Sequence, residues 1–211
     1  MDHALIQHLE KRFAQSLPGV EAQIKMAPPG RHTSSPDQGS YHLACVLAFL
    51  FPKNKQWHIS FIHRTSHHPN DKHAGQISFP GGKMCDLDQS LLSCALRETH
   101  EEIGVPGDHI TVLGGLSPLY IPVSQFLVHP FVGYSLEYPG FQLQKEEVQQ
   151  VLEVPLEQLF HPGTKKKGEI QISYGVMSGV PYYQVHQFPL WGATAMIVSE
   201  LEHMMEGLFP L

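Results

Sequence analysis

Three glutamates, Glu98, Glu101 and Glu102, stand three and four residues apart in a segment whose apolar residues recur at helical spacing. At about 100° per residue, with Glu98 set at zero, Glu101 falls near −60° and Glu102 near +40°, so the three carboxylates share one helix face. Like charges at these spacings repel by a few tenths of a kcal/mol each, and the C-terminal end of a helix favours cations over anions. No Lys or Arg follows Glu98 within the segment. A hard divalent cation such as Mg2+ or Mn2+, which prefers oxygen ligands, would offset both costs. From the carboxylates alone, a solvated acidic face on an ordinary helix is an equally good account.

The neighbouring residues favour the metal. Gly81, Gly82 and Lys83 lie just upstream, and glycine there lets backbone carbonyls or amides come close to a metal-bound phosphate. Arg97 precedes the acidic face and can clamp an upstream acid, Asp88 or Asp86, tying loop to helix. The run 82–105, which ends Arg97-Glu98-Thr99-His100-Glu101-Glu102-Ile103-Gly104-Val105, resembles the Nudix box. That motif is a glycine, five residues, a glutamate, seven residues, then Arg-Glu-U-x-Glu-Glu-x-Gly-U, where U is aliphatic. Its second half matches at every fixed position, with Thr99 at the first U. With Gly82 as the glycine and Asp88 as the acid, its first half carries one extra residue before Arg97.

The resemblance implies a pyrophosphohydrolase in which Glu98, Glu101, Glu102 and the Gly82 carbonyl hold metal, with Glu98, Glu101, Arg97 and Glu147 as catalytic residues. Either Glu101 or Glu147 would be the general base. Residues 73–83 are similar to the signature that coenzyme A pyrophosphatases carry before the box, and Arg64-Thr65-Ser66 to an earlier element of it, with Asp71 where that signature has an arginine. This implies substrate contacts from Arg64, Ser66, His73, Gly75, Gln76, Phe79 and Gly81, and cleavage of coenzyme A to phosphopantetheine and adenosine 3′,5′-bisphosphate. Two other activities fit the same residues: the same hydrolysis on ADP-ribose, NADH or dinucleoside polyphosphates, and a non-catalytic Nudix-fold regulator that only binds its ligand. Retention of all three carboxylates argues against the regulator. Weaker likenesses downstream, such as Val128-His129-Pro130 and Trp191-Gly192-Ala193, carry the resemblance over about residues 41 to 200; Trp191 reads as a core anchor rather than an adenine platform.

The elements that must position these residues follow from periodicity. A helix is expected over 88–103, docked through Leu92, Ala95, Leu96, Thr99 and Ile103, with Gly104 at a left-handed terminus and Pro106 beyond it. Residues 76–79 read as a short strand that stops at Pro80-Gly81-Gly82. Residues 41–51 and 57–63 read as a hairpin across the turn 52–55. Further strands are expected at 110–113, 119–121, 126–134 and 150–154, a short helix at 156–160, a late strand pair at 170–174 and 182–185 around Ser178-Gly179, and a terminal helix over 191–209. Residues 1–17 form an amphipathic helix, and 28–40 an irregular connector rich in Pro, Gly and Ser. Strands interrupted irregularly by helices point to α+β. The resemblance sharpens this to a Nudix fold, a mixed β-sheet sandwiched between helices (α/β/α), with residues 1–40 as an N-terminal helix and connector and 41–211 as the hydrolase domain.

Composition sets the outer bounds. At 211 residues, 42% hydrophobic and 16% charged, the chain is suited to one folded domain. Its net charge of −6 argues against a sequence-independent grip on nucleic acid, so a small nucleotide is the expected partner, and a homodimer is compatible with it. Three cysteines without CxxC spacing suggest neither a disulfide framework nor a zinc cage, and so a reducing, cytoplasmic setting. No apolar run reaches membrane-spanning length. His63, His67, His68 and His73 could gather on a metal, but with no carboxylate or cysteine at matching spacing they read better as exposed loop residues.

Overall fold

The computed structural model describes residues 3–31, 41–65, 75–172 and 175–209. The N-terminal amphipathic segment folds as α1 (Ala4–Phe13), shorter than its periodicity suggested, and buries Leu5, Ile6 and Leu9; a single further turn, α2 (Val20–Gln23), follows. The longest apolar run becomes β1 (His42–Lys53), which turns through Asn54 and Lys55 into β2 (Gln56–Arg64). Both turn residues have positive φ, 50° and 64°, as a two-residue hairpin requires.

β1 and β2 pair only from Leu50 and Ile59 to the turn. Into the fork where they part run β3 (Ile77–Ser78), paired with β2, and β4 (Gly81–Lys83), paired with β1. The expected stop at Pro80-Gly81-Gly82 is therefore a strand change. Pro80 lends its carbonyl to the Leu47 amide, and the chain re-enters the sheet one strand over. This places Gly81 and Gly82 beside the middle of the sheet.

Next comes α3 (Leu91–Ile103). It starts three residues later than periodicity suggested, because Ser90 is its N-cap: Ser90 Oγ accepts from the Ser93 amide and Ser93 Oγ from the Ser90 amide. Gly104, at φ 74°, ends it in the expected left-handed turn. Then follow β5 (Thr111–Gly115), β6 (Leu119–Ile121), β7 (Phe126–Tyr134), β8 (Val148–Pro155) and the short α4 (Leu156–Leu159). β1 runs parallel to β7, while the other pairs are antiparallel, so the eight-stranded sheet is mixed.

The late strand pair is a separate three-stranded sheet of β9 (Lys165–Ile172), β10 (Gly175–Val185) and β11 (Phe188–Trp191), in the order β11-β10-β9. Ser178 and Gly179 mark a bulge inside β10 rather than a hairpin turn. Trp191 closes β11, opposite Tyr182, and the terminal helix α5 (Gly192–Met204) begins only after it and ends five residues before the expected 209.

β1 is apolar from Leu43 to Phe51 because both of its faces are covered there. Cys45, Leu47, Phe49 and Phe51 meet Cys94, Ala95 and Ile103 of α3, whereas Ala48 and Leu50 join the cluster that holds Ala195, Ile197 and Leu201 of α5. Among the described residues no helix is long and apolar enough to cross a membrane.

Candidate functional site

The site grows from the two glycines of β4. An added Cβ on Gly81, whose φ is 151°, would come within 2.2 Å of the Cys45 carbonyl oxygen, and one on Gly82 within 2.5 Å of the Glu98 carboxyl. No other residue type lets the strand lie this close to both β1 and α3.

The three carboxylates of α3 do not share one exposed face. Their side chains are graded from open to closed: Glu101 is 50% exposed, Glu98 15% and Glu102 2%. The docking stripe is rotated accordingly. Cys94, Ala95, Thr99, Glu102 and Ile103 are buried, whereas Leu92 and Leu96, expected there, are only half-buried.

Glu102 accepts from the Gly81 amide at 2.8 Å and lies 3.6 Å from Arg64 Nη1. Burial pushes its carboxyl up to about 8, against the pull of the Gly81 amide and Arg64, with Glu98 and Glu147 adding to the push. Burial also raises Glu98, opposed by Arg97.

Arg97 clamps Asp88, not Asp86, through two parallel bonds: Nε to Oδ1 at 2.8 Å and Nη2 to Oδ2 at 2.9 Å. The arginine holds Asp88 well below the usual carboxylate range, helped by the Cys85 amide at 2.9 Å. Arg97 Nη1 reaches Glu98 Oε1 and Glu101 Oε2 at 2.8 Å each, so one cationic nitrogen bridges two carboxylates.

The remaining expected residues divide. Glu147 is exposed at the start of β8, its carbonyl accepts from the Thr65 amide, and its charge acts on both Glu98 and Glu102. Arg64, expected on substrate, turns its guanidinium toward Glu102. Gln76 accepts from the Arg64 amide through its carbonyl at 3.1 Å, and Gly75 is exposed with φ 71°. Phe79, also expected on substrate, is 2% exposed and packs on Phe61 with ring centroids 4.9 Å apart; the strand alternation that puts Ser78 on the α3 side turns Phe79 into the opposite core. Ser66 and His73 lie outside the described residues, as do His67, His68 and Asp71. His63 is not a loop residue but part of β2, with its ring on Phe188 at 4.7 Å.

Among the described residues no three His, Cys, Asp or Glu side chains converge as a ready-made cage. The donors nonetheless fit a hard divalent ion: the carboxylates and the Gly82 carbonyl offer only oxygen, and the glycine keeps open the space beside Glu98 that a Cβ would fill. A contact not foreseen from sequence is Cys94, whose Sγ lies 3.8 Å from the Gly82 carbonyl oxygen. Its spacing to other cysteines carries no motif.

Comparison with known proteins agrees with this geometry. A family model described as NUDIX domain matches residues 41–173. The chain is 37% identical over 130 residues to the uncharacterized Nudix hydrolase NudL of Escherichia coli O1:K1, an alignment covering 62% of this chain and 67% of that protein. Among solved structures, it resembles the NUDIX domain of Shewanella oneidensis NrtR, crystallised with ADP ribose (17% identity, TM-score 0.51, 88% of this chain and 98% of that one). It also resembles a MutT/nudix family protein from Enterococcus faecalis (16% identity, TM-score 0.51, 95% of this chain and 73% of that one). At these identities the two structures speak to fold alone.

Proposed function

The chain belongs to the Nudix family of metal-dependent pyrophosphohydrolases, and from that premise we propose that it cleaves the diphosphate linkage of coenzyme A or its derivatives, releasing phosphopantetheine and adenosine 3′,5′-bisphosphate. The observation that carries the diphosphate chemistry is the packing of the Gly81-Gly82 strand against Glu98 and Glu102. The coenzyme A reading is supported by the sequence likeness of residues 73–83, whose last residues, Gly81 and Gly82, lie in β4 beside the carboxylates.

Glu98, Glu101, Glu102 and the Gly82 carbonyl would hold Mg2+ or Mn2+. When bound, such an ion neutralises the diphosphate and lowers the pKa of a coordinated water. The protein's own groups do the rest. Asp88 fixes Arg97, and Arg97 steadies Glu98 and Glu101. Glu102 is locked between the Gly81 amide and Arg64. Glu101 and Glu147 are the carboxylates open enough to take a proton from the attacking water.

The test is a panel of coenzyme A, ADP-ribose, NADH and diadenosine polyphosphate at equal concentration, with Mg2+ or Mn2+, read by product chromatography. We expect coenzyme A to be cleaved fastest. We also expect Glu101→Gln, which removes a candidate base, and Glu102→Gln, which removes a metal-holding carboxylate, each to lower turnover by about 10²-fold or more. ADP-ribose cleaved while coenzyme A stays intact would overturn the substrate and keep the chemistry. A ligand bound tightly but never cleaved by the wild-type chain would make the protein a regulator.

A further inference from the structure

Beneath the carboxylates lie two thiols that the hydrolysis does not use. Cys45 on β1 and Cys94 in the first turns of α3 are both fully buried and sit side by side in the cluster between β1 and α3. Cys45 stands opposite Gly82 in the β1–β4 register. Cys94 Sγ is 3.8 Å from the Gly82 carbonyl oxygen and 3.9 Å from Arg97 Nη2. The pair therefore joins the sheet to the helix at the point where the helix meets the Gly82 carbonyl and the bridging arginine.

Buried cysteines are common as small apolar fillers. A filler has no need to lie beside a second thiol while reaching a backbone oxygen of the site and the site's arginine. We propose that Cys45 and Cys94 are a redox couple, closed to a disulfide by a hydroperoxide, and that the closed form weakens divalent-metal binding at the site above it. A disulfide has an S–S length of about 2.05 Å, so closure draws the two neighbouring sulfurs together inside the cluster that packs β1 on α3. Closure draws Cys94 toward β1, removes its S–H from the Gly82 carbonyl and takes a sulfur away from Arg97, disturbing the spacing between Gly82 and Glu98.

The chemistry balances with hydrogen peroxide as oxidant. One sulfur attacks a peroxide oxygen; the O–O bond breaks, a sulfenic acid forms, and the departing hydroxide leaves as water with the thiol proton. The second sulfur displaces the sulfenic hydroxyl, the S–S bond forms, and a second water leaves with the second thiol proton. Two thiols lose two electrons and two protons, and one peroxide becomes two waters. Because both sulfurs are buried, the first step waits on a local opening of the seam between α3 and β4, so oxidation is slow and speeds up in mild denaturant.

The inference does not depend on which nucleotide is cleaved, and its test uses no turnover. The full chain, stripped of metal, is treated with hydrogen peroxide; its thiols are counted after denaturation, its peptides mapped by mass spectrometry, and its Mn2+ affinity measured by calorimetry. In Cys85→Ser, which lacks the exposed thiol, we expect both remaining thiols to be lost, a peptide joining Cys45 to Cys94, and an Mn2+ Kd at least tenfold higher, all reversed by dithiothreitol. The wild-type chain should give the same linked peptide and the same shift in Kd, with Cys85 oxidised in addition, and Cys45→Ala should block the change. Thiols that all survive, oxidation confined to Cys85, or a Cys45–Cys94 link with Mn2+ affinity unaltered would each overturn the proposal. Should Cys45→Ala fail to fold, the wild-type peptide map and Mn2+ titration decide alone.

Discussion

At the scale of single residues, the site is organised by unequal burial of chemically equal groups. Glu101 is open and Glu102 closed, though one residue apart, because α3 rolls its C-terminal half against β4 and seals Glu102 under the Gly81 amide. A carboxyl held near 8 stays protonated in the folded chain where the unfolded chain, with an ordinary value near 4.3, has already released its proton. The metal-free protein should therefore lose stability as pH rises from about 4.5 to 8 and level off above that. Between pH 6 and 8 the loss is about 2–3 kcal/mol by linkage. Urea unfolding in chelator at both pH values should show it, and Glu102→Gln should flatten the slope; an equal slope in the variant would assign the effect to other groups. Gly82→Ala drives a methyl into the Glu98 carboxyl, which must move by an ångström or so. Such misplacement costs about 10²-fold in turnover, and the variant should show that loss with an unchanged far-UV spectrum.

At the scale of elements, two junctions matter. One is the fork between β1 and β2, which β3 and β4 fill and which brings the glycines to the helix. The other ties the N-terminal elements to the body of the protein. Glu200, fully buried on α5, accepts from the Gly19 amide at 3.1 Å, Gln23 Nε2 at 2.8 Å and the Ser117 amide at 3.2 Å. One carboxylate thus joins α2, the β5–β6 connection and α5. Glu200→Ala strands these donors, each at about 1–3 kcal/mol, for a total of at least about 3 kcal/mol. Chemical denaturation should show that loss, and limited proteolysis should cut first in the N-terminal segment. Glu200→Gln, which keeps a carbonyl acceptor, should lose clearly less; equal loss in both variants would mean that charge rather than hydrogen bonding holds the junction.

At the scale of the whole molecule, a mixed sheet covered by α3 on one face and α5 on the other supports a site confined to the α3 side. Stability and metal binding are then linked, because the folded chain gathers oxygens that the unfolded chain disperses. A divalent ion at 100 times its Kd should add about 2.7 kcal/mol. For a chain of this size that raises the melting temperature by roughly 5–10 °C. Scanning calorimetry with Mn2+ against chelator checks this, and a combined Glu98→Gln and Glu102→Gln variant should show little or no rise. An equal rise in that variant would place the ion elsewhere.

What could be read from the chain alone was whatever is local. The Arg97-to-Val105 run, the left-handed end at Gly104, the hairpin turn and the apolar strand each depend on neighbours within a few residues, and the family followed from the first of them. The rest depended on partners distant in sequence. That Asp88 rather than Asp86 meets Arg97, that Arg64 faces Glu102, that Phe79 turns into the core, and that Glu102 is sealed while Glu101 is open all depend on β4 entering the fork and on how α3 rolls onto it. Helical periodicity gives the angle between two side chains but not which of them faces the protein. Strand register gives a face only once the neighbouring strand is known. The sequence therefore named the chemical groups, and the tertiary structure decided which are buried, paired or free to act.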